Sequence, residues 1–132
     1  MKKDIFYSVL DGVKPSKQEL ENIKELTAGL KKKIESGLKK AHCRAEVFIG
    51  GSLAKNTLIK KEKYDIDLFV RFSYKDYAER DSQLSNMLEK ALKSQKLKYK
   101  RIHGSRDYFH FYAGGNKPVL FEIVPVLAIK KP

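Results

Sequence analysis

The order of segments in this 132-residue chain predicts an α+β fold, a mixed or antiparallel sheet with helices packed on one side. Three observations carry that expectation. Two stretches repeat apolar residues every three or four positions, as helices with one buried stripe do. Five other stretches are short, rich in β-branched and aromatic residues and bounded by glycine or polar turns. The order runs helix, strand, strand, helix, then strands, the pattern of a sheet covered by helices on one face. A chain of this length buries about two-thirds of its unfolded surface. It shows no internal repeat, low-complexity run or dividing linker. The expectation is therefore one domain over 1–132, with a helical part over 1–44 and a sheet over 45–132.

Each element has a local reason. Ser16 followed by Glu19, just after Pro15, makes a capping box, and Leu20, Ile23, Leu26, Leu30, Ile34 and Leu38 continue it as a long amphipathic helix. Its other face carries Lys31, Lys32, Lys33, Lys39 and Lys40, a solvated surface or a contact for RNA. "AEVFIGG" reads as a short strand ending in glycines, "LAKNT" as the first turn of a short helix, and "DIDLFVRF" as a second strand. Ser73 with Asp76 caps a further helix, whose stripe of Leu84, Leu88, Ala91 and Leu92 runs to about Ser94. Three strands follow around "LKYKRIH", "DYFHFYA" and "PVLFEIVPVLAI", with "GSR" and "GGNK" as turns. In the aromatic run, alternation puts Phe109 and Phe111 opposite Tyr108, His110 and Tyr112, so the run reads as a half-buried strand rather than a base-stacking platform. His110 reads as a sheet-surface residue, not a ligand or base.

Charge and cysteine content narrow the classes. Lys and Arg number 28 against 16 Asp and Glu, a formal charge of +12, which favours polyanionic partners such as nucleic acid or nucleotides. The single Cys43 allows no internal disulfide and no four-cysteine zinc site, so the expected location is intracellular, the cytoplasm. His42 forms no metal-binding spacing with His103 or His110. The opening "MKKDIFYSVLDGVK" lacks the apolar run of a signal peptide, and "VLFEIVPVLAI" is too short and too interrupted to cross a membrane.

The chemistry lies in "GGSLAKNTLIKKEKYDIDLF". Side chains two apart on a strand share a face, with about 6.6–6.8 Å between their α-carbons, so Asp65 and Asp67 converge. Two carboxylates held that close in a desolvated cleft must share a proton or a cation, and hard carboxylate oxygens suit Mg²⁺. The bland alternative makes Asp65 a turn residue and Asp67 a solvent-facing neighbour of Arg71. Upstream, Gly50, Gly51 and Ser52 end a strand just before a helical turn, and such a corner lets backbone N–H groups approach a phosphate. Far downstream, Glu122 stands alone between Phe121 and Ile123 in "VLFEIVPV", which calls for a cation or an exposed sheet face. If its strand lies beside the Asp-Ile-Asp strand, three carboxylates surround one cleft, as two-metal phosphoryl transfer requires.

"GGSLAKNT", "YDIDLFV" and "FEIVPV" together resemble the nucleotidyltransferase superfamily of DNA polymerase beta, and most of all the catalytic head of archaeal-type CCA-adding enzymes, the tRNA nucleotidyltransferases. The likeness runs from about Ala45 to Ile129. It implies the nucleotidyltransferase fold, with Gly51 and Ser52 on the triphosphate of the incoming nucleotide and Lys55 and Thr57 beside them. It implies Asp65, Asp67 and Glu122 as catalytic metal ligands for two Mg²⁺ ions, for which Mn²⁺ can substitute. The family commonly continues Gly-Ser with Ala-Arg-Gly-Thr, where this chain has Ala54, Lys55, Asn56 and Thr57. Lysine keeps the charge of arginine but loses its bidentate fork. The third acid is often aspartate in relatives, so Glu122 reaches further. Lys60, Lys61 and Lys63 add charge near the corner.

The activity so implied is transfer of a nucleoside monophosphate from CTP or ATP to a hydroxyl acceptor, a tRNA-like RNA 3′ end, releasing pyrophosphate. Two readings stand beside it: a non-catalytic RNA-binding module of the same fold, and a minimal nucleotidyltransferase acting on a small molecule or a protein, as an antitoxin of that shape would. Relatives continue past the position of "IKKP" into domains that hold the base and grip the acceptor stem, so the expectation is a catalytic head without them, either excised from a longer protein or a free-standing minimal protein of the same superfamily. Base preference, acceptor and oligomeric state stay open at this level, and no membrane partner is expected.

Overall fold

The computed structural model describes residues 16–51, 64–114 and 118–128. Helix α1 (Lys17–Lys40) starts where the capping box places it, with the Ser16 hydroxyl accepting from the Glu19 N–H at 3.0 Å. Its stripe of Ile23, Leu30, Ile34 and Leu38 is buried, and the buried Thr27 hydroxyl donates to the Ile23 carbonyl at 2.6 Å. The helix closes at His42, whose φ of 57° lets the Cys43 N–H reach back to the Leu38 carbonyl at 2.9 Å.

Strand β1 (Ala45–Ile49) leads to β2 (Tyr64–Phe72). After β2, one continuous helix from Ser73 to Ser94 is expected, and the structure breaks it in two. A short α2 (Tyr74–Tyr77) passes into a 3₁₀ segment over Ala78–Gln83, with Arg80 outside helical geometry at φ −117° and ψ 28°, before α3 (Leu84–Ser94) begins. The reason is burial. The 3₁₀ segment "AERDSQ" buries nothing, so no packed stripe holds it in register. Tyr77 anchors the first turn instead, edge-on to Phe72 with ring centroids 5.3 Å apart and its hydroxyl accepting from the Arg44 N–H at 3.1 Å. The Ser73 side chain makes no capping bond, contrary to the sequence reading, and Asp76 lies 3.7 Å from Arg44.

Strands β3 (Tyr99–Ile102), β4 (Tyr108–Ala113) and β5 (Val119–Leu127) complete a five-stranded sheet in the order β1-β2-β5-β4-β3. The central pair, β2 with β5, is parallel and the others are antiparallel, so the sheet is mixed. Helices α1 and α3 cover one face. The core lies between them and the inward residues Val47, Ile66, Leu68, Val70, Phe72, Phe109, Phe121 and Ile123. Each such aliphatic or aromatic side chain contributes about 1.5–3 kcal/mol on burial. The helices lie in close contact at Gly37, where a Cβ would sit 2.3 Å from the Ala91 carbonyl oxygen. Among the described residues no buried side-chain polar atom lacks a partner.

Candidate active site

Strand β2 alternates without a break where it matters: Tyr64, Ile66, Leu68, Val70 and Phe72 are buried, while Asp65, Asp67 and Arg71 are exposed. Burying the first set under the helices forces both aspartates onto the open face. The buried Tyr64 fixes the start of the strand, its hydroxyl donating to Oε2 of Glu19 on α1 at 2.8 Å. Arg71 lies over the Phe48 ring, 4.1 Å from its centroid, so its guanidinium has an aromatic seat on that face.

The parallel pairing brings in the third acid. Asp67 faces Glu122 in register across β2 and β5, and Asp65 faces Leu120. Phe121 and Ile123 are both fully buried, which turns Glu122 between them to the same open face. Pairing continues outward: Glu122 faces His110 on β4, and His110 faces Lys100 on β3. The result is one row across the sheet, Asp67, Glu122, His110, Lys100. Nε2 of His110 lies 3.3 Å from Oε1 of Glu122.

On the other side of Asp67 the row meets Gly50. The Gly50 N–H donates to the Asp67 carbonyl at 2.7 Å. A Cβ at residue 50 would stand 2.9 Å from the Asp67 Cβ and 3.0 Å from its carbonyl oxygen. Glycine is required here for close approach to the aspartate. Gly51, by contrast, is exposed, helical, and has nothing among the described residues within 4 Å of where its Cβ would be. Ser52, Lys55, Asn56, Thr57 and the lysines at 60, 61 and 63 lie outside the described residues, as does the expected helical turn "LAKNT".

Electrostatics distinguish Asp67 from its neighbours. Loss of hydration pushes its carboxyl above the usual range, and a hydrogen bond with Glu122 and the charges of Glu122 and Asp65 push the same way. Such crowding of hard oxygen donors is what a divalent cation relieves. The chemistry of the donor set fits Mg²⁺ or Mn²⁺, which keep few protein carboxylates and take their other ligands from water and phosphate. Among the described residues no three His, Cys, Asp or Glu side chains stand close enough together to hold a metal ion by themselves. An apolar groove of about 780 Å³, lined by Leu26, Leu30, Tyr64, Leu97, Phe111 and Val119 among others, opens on the helix side, away from this row.

Sequence reasoning missed two members of the row, His110 and Lys100, and the closeness of Gly50 to its end. Gly50 was legible as a strand-ending glycine of the phosphate corner, but its closeness to Asp67 was not, since that depends on the β1–β2 register. His110 was explained by strand alternation alone, and the partner that distinguishes it comes from a different strand.

Comparison with known proteins agrees with this architecture. The family model described as "Second Messenger Oligonucleotide or Dinucleotide Synthetase domain" matches residues 1–131. The CCA-adding enzyme of Nanoarchaeum equitans is 42% identical over 87 residues, which cover 66% of this chain and 20% of that protein. The CCA-adding enzyme of Pyrococcus horikoshii is 27% identical over 134 residues, covering 97% of this chain and 28% of that protein. The chain thus spans between a fifth and a third of these relatives. Among solved structures, the CdnC:HORMA-deltaN complex of E. coli MS115-1 shares the fold with a TM-score of 0.67 at 24% identity, over 98% of this chain and 42% of that one. Cid1, an RNA terminal uridylyl transferase, shares it with a TM-score of 0.65 at 17% identity, over 92% and 34%. With a mixed sheet under one helical layer, carboxylates on the open face and a family match over nearly its whole length, this chain has the nucleotidyltransferase fold and belongs to the Second Messenger Oligonucleotide or Dinucleotide Synthetase domain family.

Proposed function

We propose that the open face transfers a nucleoside monophosphate from CTP or ATP to a hydroxyl acceptor, an RNA 3′ end of tRNA type, with release of pyrophosphate. The observation that carries this is the in-register apposition of Asp67 and Glu122 with Asp65 on the same face. Asp65 and Asp67, with Glu122 beside them, would hold the divalent ions that the reaction needs. Gly51, Ser52, Lys55 and Thr57 take the triphosphate. Bound Mg²⁺ supplies charge neutralisation for the phosphoryl group, and the chain's own part is positioning. Residues 1–132 act as the catalytic domain, the first 44 as its helical support, in a cytoplasmic protein. Among the described residues no helix is long and apolar enough to cross a membrane.

The likeness to CCA-adding enzymes supports RNA as acceptor. The family model, named for oligonucleotide and dinucleotide synthesis, favours a second reading in which the acceptor is another nucleotide. One experiment separates them: the chain is incubated with labelled CTP or ATP, Mg²⁺ and a tRNA-like acceptor, and products are sized. Extended RNA supports the first reading, and a short oligonucleotide formed without RNA supports the second. Either product falls by about 10²-fold or more in Asp65→Ala and Asp67→Ala. RNA binding without label transfer, indifferent to both substitutions, would leave only a non-catalytic module.

A further inference from the structure

Glutamate in the third acidic position brings a mechanical problem. Compared with aspartate, Glu122 has one more methylene and one more rotatable bond, and an untethered side chain of that length loses rotamer freedom when it is fixed. Its strand holds the backbone, since Phe121 and Ile123 are clamped in the core, but that does not aim the carboxylate.

The tether is on the neighbouring strand. His110 faces Glu122 in register, its side chain is only 20% exposed, and its Nε2 stands 3.3 Å from Oε1 of Glu122. The ring is itself held. Phe109, immediately before it, is fully buried, and the Tyr108 ring meets the imidazole edge-on with centroids 5.5 Å apart. Glu122 therefore has Asp67 on one side and a braced imidazole nitrogen on the other.

Resting on the nucleotidyltransferase reading above, we propose that His110 is a positioning residue for the third carboxylate: its Nε2–H donates to Oε1 of Glu122 and fixes the rotamer that turns the carboxylate toward Asp67 and a shared divalent cation. Outer hydrogen bonds of this sort orient ligands and govern metal affinity. The imidazole neither touches the nucleotide nor moves a proton in this role. A glutamate at this position and a donor at residue 110 form a pair, each making the other useful.

The test uses the metal alone. Mn²⁺ affinity of the nucleotide-free chain is measured by calorimetry and electron paramagnetic resonance for the wild type, Asp67→Asn, His110→Leu and His110→Gln, with circular dichroism as a check on folding. His110→Leu is expected to weaken Mn²⁺ binding by about 10–100-fold. His110→Gln, whose amide N–H₂ can donate to the same oxygen, is expected to recover most of that loss. The long-range proton–nitrogen NMR spectrum of the metal-free wild type is expected to show His110 as the Nε2–H tautomer. Wild-type affinity in His110→Leu overturns the proposal, and so does a glutamine variant as weak as leucine, which would make the imidazole a direct ligand or a packing element. If His110→Leu does not fold, the glutamine variant and the tautomer still decide. Unchanged Mn²⁺ binding in Asp67→Asn would instead remove the carboxylate reading itself.

Discussion

At the scale of single residues, Asp67 is held in an environment that opposes its own charge. Because its carboxyl is raised, mainly by lost hydration and then by Glu122 and Asp65, the folded chain keeps that proton to higher pH than the unfolded chain does. Stability therefore falls as pH rises from the unfolded value through the folded one, and the full penalty is present at neutral pH. Asp67→Asn is expected to raise the melting temperature at pH 7 by a few degrees, with the difference disappearing near pH 3, while abolishing transfer; thermal scans at the two pH values check it. Gly50→Ala makes the complementary case. Its new methyl group meets the Asp67 backbone and Cβ, so the end of β1 must move, and at least a tenfold loss of transfer is expected with Tm changed by only a few degrees. The two aspartates were legible in the sequence because a period of two is enough to put them on one face. The demand for glycine at residue 50 was not, because it arises between strands.

At the scale of elements, one joint holds the two helices together and a second ties the sheet to α3. Gly37 lets α1 lie against the backbone of α3 at Ala91, and Gly37→Ala sets a gain in helix propensity of about 1 kcal/mol against a clash with a carbonyl. The clash wins, since neither helix backbone can yield without opening the core. A net loss of about 1–3 kcal/mol is expected in urea unfolding. The second joint is Arg101 on β3. It contacts Asp107 at 2.8 Å, Glu89 on α3 at 3.0 Å and Asn86 at 3.0 Å, while the Tyr99 hydroxyl donates to Glu89 at 2.9 Å. Burial and then Glu89 push the Tyr99 phenol up to about 12, and the Arg101 guanidinium holds Asp107 below the usual carboxylate range. Arg101→Met is expected to cost about 1–2 kcal/mol and to loosen the β3–β4 hairpin from α3, read as faster amide exchange in β3. The long stripe of α1 was readable at every turn. The break at Ala78–Gln83 was not, since helix propensity continues through "AERDSQ" and only the lack of anything to bury ends the regular turn.

At the scale of the whole molecule, the α+β class and the single helical layer were legible from the order of periodicities, and the neighbour relation of β2 and β5 was not. It is conditional on the rest of the chain, because parallel neighbours need a long crossover, here built from α2, the 3₁₀ segment, α3, β3 and β4. That central pairing has a kinetic consequence. Hairpin β3–β4 closes locally, but Tyr64 cannot find Val119, nor Asp67 its Glu122, until everything between them has been laid down. Catalytic competence is therefore expected to lag behind helix formation on refolding. A stopped-flow experiment would show the far-ultraviolet signal returning before Mn²⁺ capture does.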